Sequence, residues 1–484
     1  MRPICNAGID SPLWRAAFRF VAIDLFVAVW DISCKQSETE IRAMRIVHVA
    51  VTMVMAAGLM SCATAEKNSG AMAKSASLAA NEIPAPAKEK LSGLDAIVEA
   101  GIAKKDYPGA VLIVGQPGKQ IYAKAYGNHT YDPASPPMTM DTLFDMASIS
   151  KVEGTSAASW KLMDEGKIHP DDLVSKFIPG FDSNGKEGDT VRDLMTHVSG
   201  LKAYENKDLV EKERTKDESH ADALIAHYAA LTASYKPRTK FIYSCLNFQT
   251  MARVNETASG MRQQDYLRKN VYGPLGMNDT TYVLTAEQKS RTAPTHVAKD
   301  GDLLIGVIHD PLANYHSVDE DHCPGNAGLF STAPDLAKFC ETIAGEGEFR
   351  GKRIYSKEVM RASSDVQTPE AVHEKRGLGL DIYENPPYTT TLNDTAGNRI
   401  LGHTGFTGTL FVVDQHTKTY VVFLTNTVFP TEAGKSDKEP SATQERKDIV
   451  DVVWRAMPEY QEYFAALDAA PKEKAAAKAA GAGQ

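Results

Sequence analysis

Two pairs of short apolar runs, rich in β-branched and aromatic residues, stand near opposite ends of this chain, with a long stretch between them that reads as helical. Near the front, residues 111–115 and 120–126 flank Gln116-Pro117-Gly118-Lys119, whose proline and glycine suit a tight turn. Near the back, residues 409–414 and 420–425 flank Gln415-His416-Thr417-Lys418 and read as a second hairpin. Capping residues and helical spacing mark 92–103, 152–163, 207–233, 329–343 and 447–457, with Ser92 and Ser331/Thr332 as N-cap candidates. Strands at both ends and helices between them predict an α+β fold. An antiparallel sheet built from both chain ends would be flanked by helices, and a helical subdomain would be inserted, with a pocket where the two meet.

The first 63 residues carry a targeting signal rather than fold information. Met44-Arg45 opens a short basic region, residues 46–60 are apolar, and the run ends Leu59-Met60-Ser61-Cys62. Fifteen apolar residues suit a signal peptide better than a membrane span, and the ending resembles a lipoprotein processing site, with Cys62 lipidated. The reading is therefore a signal peptide at 44–61, a doubtful N-terminal extension at 1–43 with translation starting at Met44, and a lipid-anchored flexible linker at 62–91. A folded domain at 92–465 and a disordered Ala/Lys-rich tail at 466–484 follow. This organisation places the protein in a bacterial cell envelope, tied to the membrane by lipid. A formal charge of −9 and the lack of a basic stripe argue against nucleic acid as a partner. Oligomeric state is not legible. Outside the leader and Cys62, the cysteines are Cys245, Cys323 and Cys340, an odd number that implies no disulfide framework.

The chemistry centres on Ser148-Ile149-Ser150-Lys151 at the mouth of the predicted 152–163 helix. Residues three apart on a helix share a face, so the Ser148 hydroxyl and the Lys151 ammonium can meet. A hydroxyl needs such a neighbour to become a nucleophile. Alone, this spacing is common. Two further motifs give it meaning: Tyr243-Ser244-Cys245 and His403-Thr404-Gly405, the second just ahead of the back hairpin. Serine-lysine, tyrosine and a K/H-T-G strand in that order resemble the penicillin-recognising serine hydrolases. Pro108-Gly109-Ala110, the run 142–148, 194–201, Val307-Ile308-His309-Asp310 and 326–333 extend the likeness over about residues 92–460. The family resembled is that of class C β-lactamase-like serine hydrolases, which includes low-molecular-mass penicillin-binding proteins, D-alanyl-D-alanine carboxypeptidases and esterases.

The resemblance implies a β-lactamase/transpeptidase-like fold and a Ser148 acyl-enzyme, with Lys151 and Tyr243 sharing proton transfer. The backbone N–H groups of Ser148 and Phe406 would form the oxyanion hole. His403, Thr404, Gly405, Cys245 and Asn247 fall at substrate-binding positions. Two departures matter. Cys245 stands where the family has Asn or Asp, and a thiol is a weak hydrogen-bonding partner, which Asn247 would in part replace. His403 stands where β-lactamases carry lysine; a largely neutral imidazole attracts carboxylates less, so β-lactams should be poor substrates. The substrate is then a small molecule or peptidoglycan peptide: a D-Ala-D-Ala stem or a small ester, with β-lactam hydrolysis and a non-hydrolytic wall-peptide sensor as alternatives. No cofactor or metal is called for. The His309, Asp310, His316, Asp319, Glu320, Asp321, His322, Cys323 cluster lacks tight ligand spacing and reads as a solvated rim loop rather than a zinc site. His197 reads as a turn brace.

Overall fold

The computed structural model describes residues 88–298, 301–319, 323–383, 400–432, 442–462 and 464–465. They all belong to one compact unit, Ile83–Gln484. The signal peptide, Cys62, most of the linker, the tail and residues Glu320, Asp321 and His322 lie outside the described residues. The folded part starts earlier than Ser92, because Lys88–Leu91 form a 3-10 turn and Leu91 is buried.

Strands β1 (Gly109–Gln116) and β2 (Lys119–Gly127) form the front hairpin. Two-residue strands β3 (Phe144–Asp145) and β4 (Phe330–Ser331) pair away from the main sheet. Strands β5 (Asp381–Tyr383), β6 (Ile400–Thr404), β7 (Leu410–Asp414) and β8 (Tyr420–Thr425) complete an antiparallel sheet of order β2-β1-β8-β7-β6-β5. The ends of the chain meet at β1–β8, where Ala110 faces Thr425 and Gly115 faces Tyr420. Both faces of the sheet are covered, which is why β1, β7 and β8 are continuously apolar rather than alternating. Helices α1 (Gly93–Ala103) and α5 (Thr443–Ala456) bury Leu94, Val98, Val450 and Trp454 against Leu112, Val412 and Phe423. On the other face, helix α4 (Ala333–Ala344) sets Leu336, Phe339 and Ile343 against Val111, Phe411 and Val422. That larger core runs on into the inserted helices, including α2 (Ala157–Asp164) and α3 (Cys245–Ser259).

The predicted 152–163 helix is not uniform. Ala147–Ile149 is a 3-10 turn, Ser150–Ser156 is a wide π-type coil, and only from Ala157 does α2 become regular. Such insertions recur at functional sites. The 207–233 region is likewise two helices, Lys207–Glu213 and His220–Ala230.

Glu153, on the π-type coil, is fully buried. Its Oε1 accepts from Ser331 Oγ at 3.0 Å, while Oε2 has no hydrogen-bond partner among the described residues. Burial pushes its pKa up from 4.5 to about 8. Between those values the unfolded chain loses its proton while the folded chain keeps it, so stability falls as pH rises from about 4.5 to about 8 and is level beyond. Glu153→Gln should therefore melt several degrees higher than wild type at pH 8, with the gain shrinking toward pH 5. Equal melting temperatures at both pH values would refute it.

Candidate active site

Ser148 is presented by a strained turn. Ala147, directly before it, has φ +46°, a left-handed conformation that costs a non-glycine residue about 1–2 kcal/mol. Four contacts hold that turn. Asp145 Oδ1 accepts from Ala147 N at 2.8 Å, and Leu329 O accepts from Met146 N at 2.9 Å. Thr409 Oγ1 donates to Met146 O at 3.2 Å, and Thr407 Oγ1 donates to Asp145 O at 2.7 Å. Gly405 must be glycine here, since a Cβ would fall 2.0 Å from Thr409 Oγ1 and 2.6 Å from Met146 O. Arg446, on α5, clamps this 405–409 turn by donating to the carbonyls of Gly405, Gly408 and Thr409.

Lys151 is fully buried, and its Nζ donates to Ser148 Oγ at 3.1 Å and to Asn326 O at 2.8 Å, with Cys245 Sγ at 3.8 Å. The three-residue spacing thus brings the pair together even across a 3-10 and π junction. Burial pushes the ammonium down, but Cys245, Tyr243 and Asp310 oppose it, and its pKa lies above the ordinary value. Tyr243 precedes α3, and Lys151 Nζ lies 4.9 Å from its ring centre. Its buried hydroxyl makes no hydrogen bond of regular geometry among the described residues, although Ser148 and Lys151 both favour its phenolate. Burial outweighs them, so the tyrosine pKa is raised. Cys245 is a free thiol whose pKa burial also raises.

The cleft beside Ser148 has a volume of about 450 Å³. Ala147, Ser148, Tyr204, Tyr243, Cys245, His296, His309, Asp310, Pro311, Ala327 and Phe406 line it. Not all the predicted substrate contacts are on this wall. Asn247 is completely buried: Ser199 Oγ donates to its Oδ1 at 2.6 Å, and its Nδ2 lies 3.3 Å from His197 Nδ1. It braces His197 and does not stand in for the missing amide at Cys245. His197 in turn accepts from Ser244 N at 3.0 Å, holding the turn that carries Tyr243. His403 is 2% exposed, bonded through Nδ1 to Thr404 O at 2.7 Å, and its ring centre lies 6.0 Å from that of Tyr243. Burial pushes its pKa down to about 4, so at neutral pH it is uncharged. Thr404 is half-buried and Gly405 buried.

Among the described residues, no group of three or more His, Cys, Asp and Glu is placed to hold a metal ion. His309 and Asp310 instead belong to the cleft, and His316 is buried. Sequence reasoning passed over Asp145 and Asn326, although both fall inside quoted signature runs. It had no signal for Tyr204, His296 or Arg446, which come from elements far apart in the chain.

Comparison with known proteins points to one family. A sequence model of the Beta-lactamase family matches residues 94–443. The chain is 29% identical over 366 residues to an Escherichia coli O157:H7 protein named "Putative D-alanyl-D-alanine carboxypeptidase", covering 70% of this chain and 82% of that one. Among solved structures it resembles a penicillin-binding protein homologue from Caulobacter crescentus (TM-score 0.60, 17% identity, 77% of this chain and 99% of that one). It also resembles EstCE1, a hydrolase with promiscuous acyltransferase activity (TM-score 0.59, 19% identity, 75% and 99%). At these identities the two structures show the fold alone. The family model spans well over half of the sequence, and Ser148 and Lys151 lie within the matched residues; the chain therefore belongs to the Beta-lactamase family of serine hydrolases.

Proposed function

We propose that the protein hydrolyses small uncharged esters through an acyl-enzyme on Ser148. The Ser148 Oγ attacks the ester carbonyl while its proton passes to the Lys151–Tyr243 pair. The backbone N–H groups of Ser148 and Phe406 receive the developing oxyanion, a contribution of a few kcal/mol per donor. The alkoxide leaves with the proton, and water then releases the acid. One observation carries the substrate reading: no lysine or arginine lines the cleft among the described residues, and its charged residue is Asp310. The nearby cation Arg376 is paired with Asp381. A terminal carboxylate, as on a D-Ala-D-Ala peptide or a β-lactam, finds no counter-charge there. The name carried by the E. coli relative favours the second reading, a D-Ala-D-Ala carboxypeptidase. Lipidation at Cys62 would hold either activity at the cell envelope.

Intact-protein mass spectrometry with a fluorophosphonate and a fluorescent penicillin, using Ser148→Ala as control, tests this. We expect a fluorophosphonate adduct lost in the variant and little penicillin adduct. A stable penicillin adduct would favour the carboxypeptidase, a rapidly decaying one a β-lactamase. No adduct with either reagent would point to a non-hydrolytic binding protein.

A further inference from the structure

We propose that the stacked rings of His296, His309 and Phe406 form a subsite for an uncharged aromatic group of the substrate. The proposal rests on the esterase reading above and adds which esters are preferred. His296 and His309 lie with ring centres 4.5 Å apart and planes 18° from parallel. Phe406 continues the column at 5.4 Å and 33° from His309. All three rings line the Ser148 cleft. Phe406 is 47% exposed, a large apolar side chain left open to solvent next to the nucleophile. Such exposure is informative where it adjoins a concave site.

The column is fixed relative to the reacting centre. Asp145 accepts from Ala147 N through one oxygen and from His309 N through the other, each at 2.8 Å. The ring of His309 therefore rides on the same carboxylate that holds the turn before Ser148. Phe406 sits on the 405–409 turn, which Thr407 and Thr409 tie to Asp145 and Met146. An aromatic group laid on this column would be registered against Ser148 without any induced movement.

The surface is also suited to a neutral partner. Burial pushes His309 down to about 4 and lowers His296, so both imidazoles are uncharged at neutral pH and can stack without repulsion. The Asp310 carboxylate is occupied by Ala313 N, Asn326 Nδ2 and Tyr204 Oη. Aromatic pairs add about 0.5–1.5 kcal/mol beyond the area they bury, about two- to tenfold in specificity.

The test is kcat/KM, followed by pH-stat, for two matched pairs: ethyl phenylacetate against ethyl hexanoate, and benzyl acetate against pentyl acetate. The wild type should favour the aromatic member of at least one pair by about fivefold. In His309→Ala, and separately in Phe406→Ala, which alters an exposed side chain, that ratio should fall to near one. Turnover of all four esters with no aromatic preference, or a preference unchanged in both variants, would overturn the subsite while leaving the esterase reading intact. Absence of turnover with all four would overturn both.

Discussion

Replacing Lys151 by methionine should slow acylation of Ser148 by about a thousandfold or more while leaving the fold in place. The side chain is fully buried, and methionine fills nearly the same path; the groups around Nζ are the Ser148 hydroxyl, the Asn326 carbonyl and the Cys245 thiol, so the exchange strands no buried charge. What disappears is the donor 3.1 Å from Ser148 Oγ and the positive charge that favours the Tyr243 phenolate. The two pKa directions add a pH signature. Lys151 and Tyr243 both titrate above their ordinary values, so the basic form able to take the Ser148 proton is scarce at neutral pH. Fluorophosphonate labelling of the wild type should rise steadily from about pH 6 into the alkaline range. In Lys151→Met the rise should move further up, because Ser148 alone is then left to oppose the effect of burial on Tyr243. Labelling of the variant at the wild-type rate would show that Lys151 is not the partner of Ser148.

Much of this arrangement was legible in the sequence because it rests on short-range chemistry. The two hairpins follow from apolar runs broken by turn residues, and β1, β2, β7 and β8 occupy the expected places. Ser148 and Lys151 were separated by a spacing that any right-handed coil brings to one side. The illegible parts depend on contacts between distant segments. The charged 207–233 stretch breaks at 214–219, where Arg214 turns back to Glu211 and Glu218 O rather than continuing the helix. Asn247 carries the right chemistry for a substrate amide, but α3 turns it toward Ser199 and His197. The Lys151 ammonium favours the Tyr243 phenolate, yet burial, which no motif reveals, decides the net direction. His403 was expected to be mostly neutral; complete burial makes it wholly so.

Asp145 shows how one buried carboxylate can matter more to rate than to stability. It is 2% exposed, and its two oxygens join the nucleophile turn to the backbone of His309. Burial raises its pKa from 3.8 to about 6, so at neutral pH the protein holds a buried anion at a cost of a few kcal/mol. The sign follows: this group makes the fold less stable as pH rises from about 4 to about 6, while only the ionised form can accept both N–H bonds. Asp145→Asn removes the charge but turns an amide NH₂ toward one of the two N–H donors. Its melting temperature at neutral pH should therefore stay within a few degrees of wild type, the saved ionisation cost offsetting the lost bond. Its kcat on a small ester should fall about a hundredfold, since a shift of about 1 Å in a reacting group has that effect. The wild type should also lose activity below about pH 6 as Asp145 takes a proton, and the variant should lack that limb. A variant that keeps the acid limb and wild-type kcat would mean that Asp145 is a passive part of the core. A large fall in melting temperature matched by loss of activity would mean the same. Loss of the extra fall below about pH 6, with intact stability, identifies the carboxylate as the part that holds Ser148 in register with the cleft.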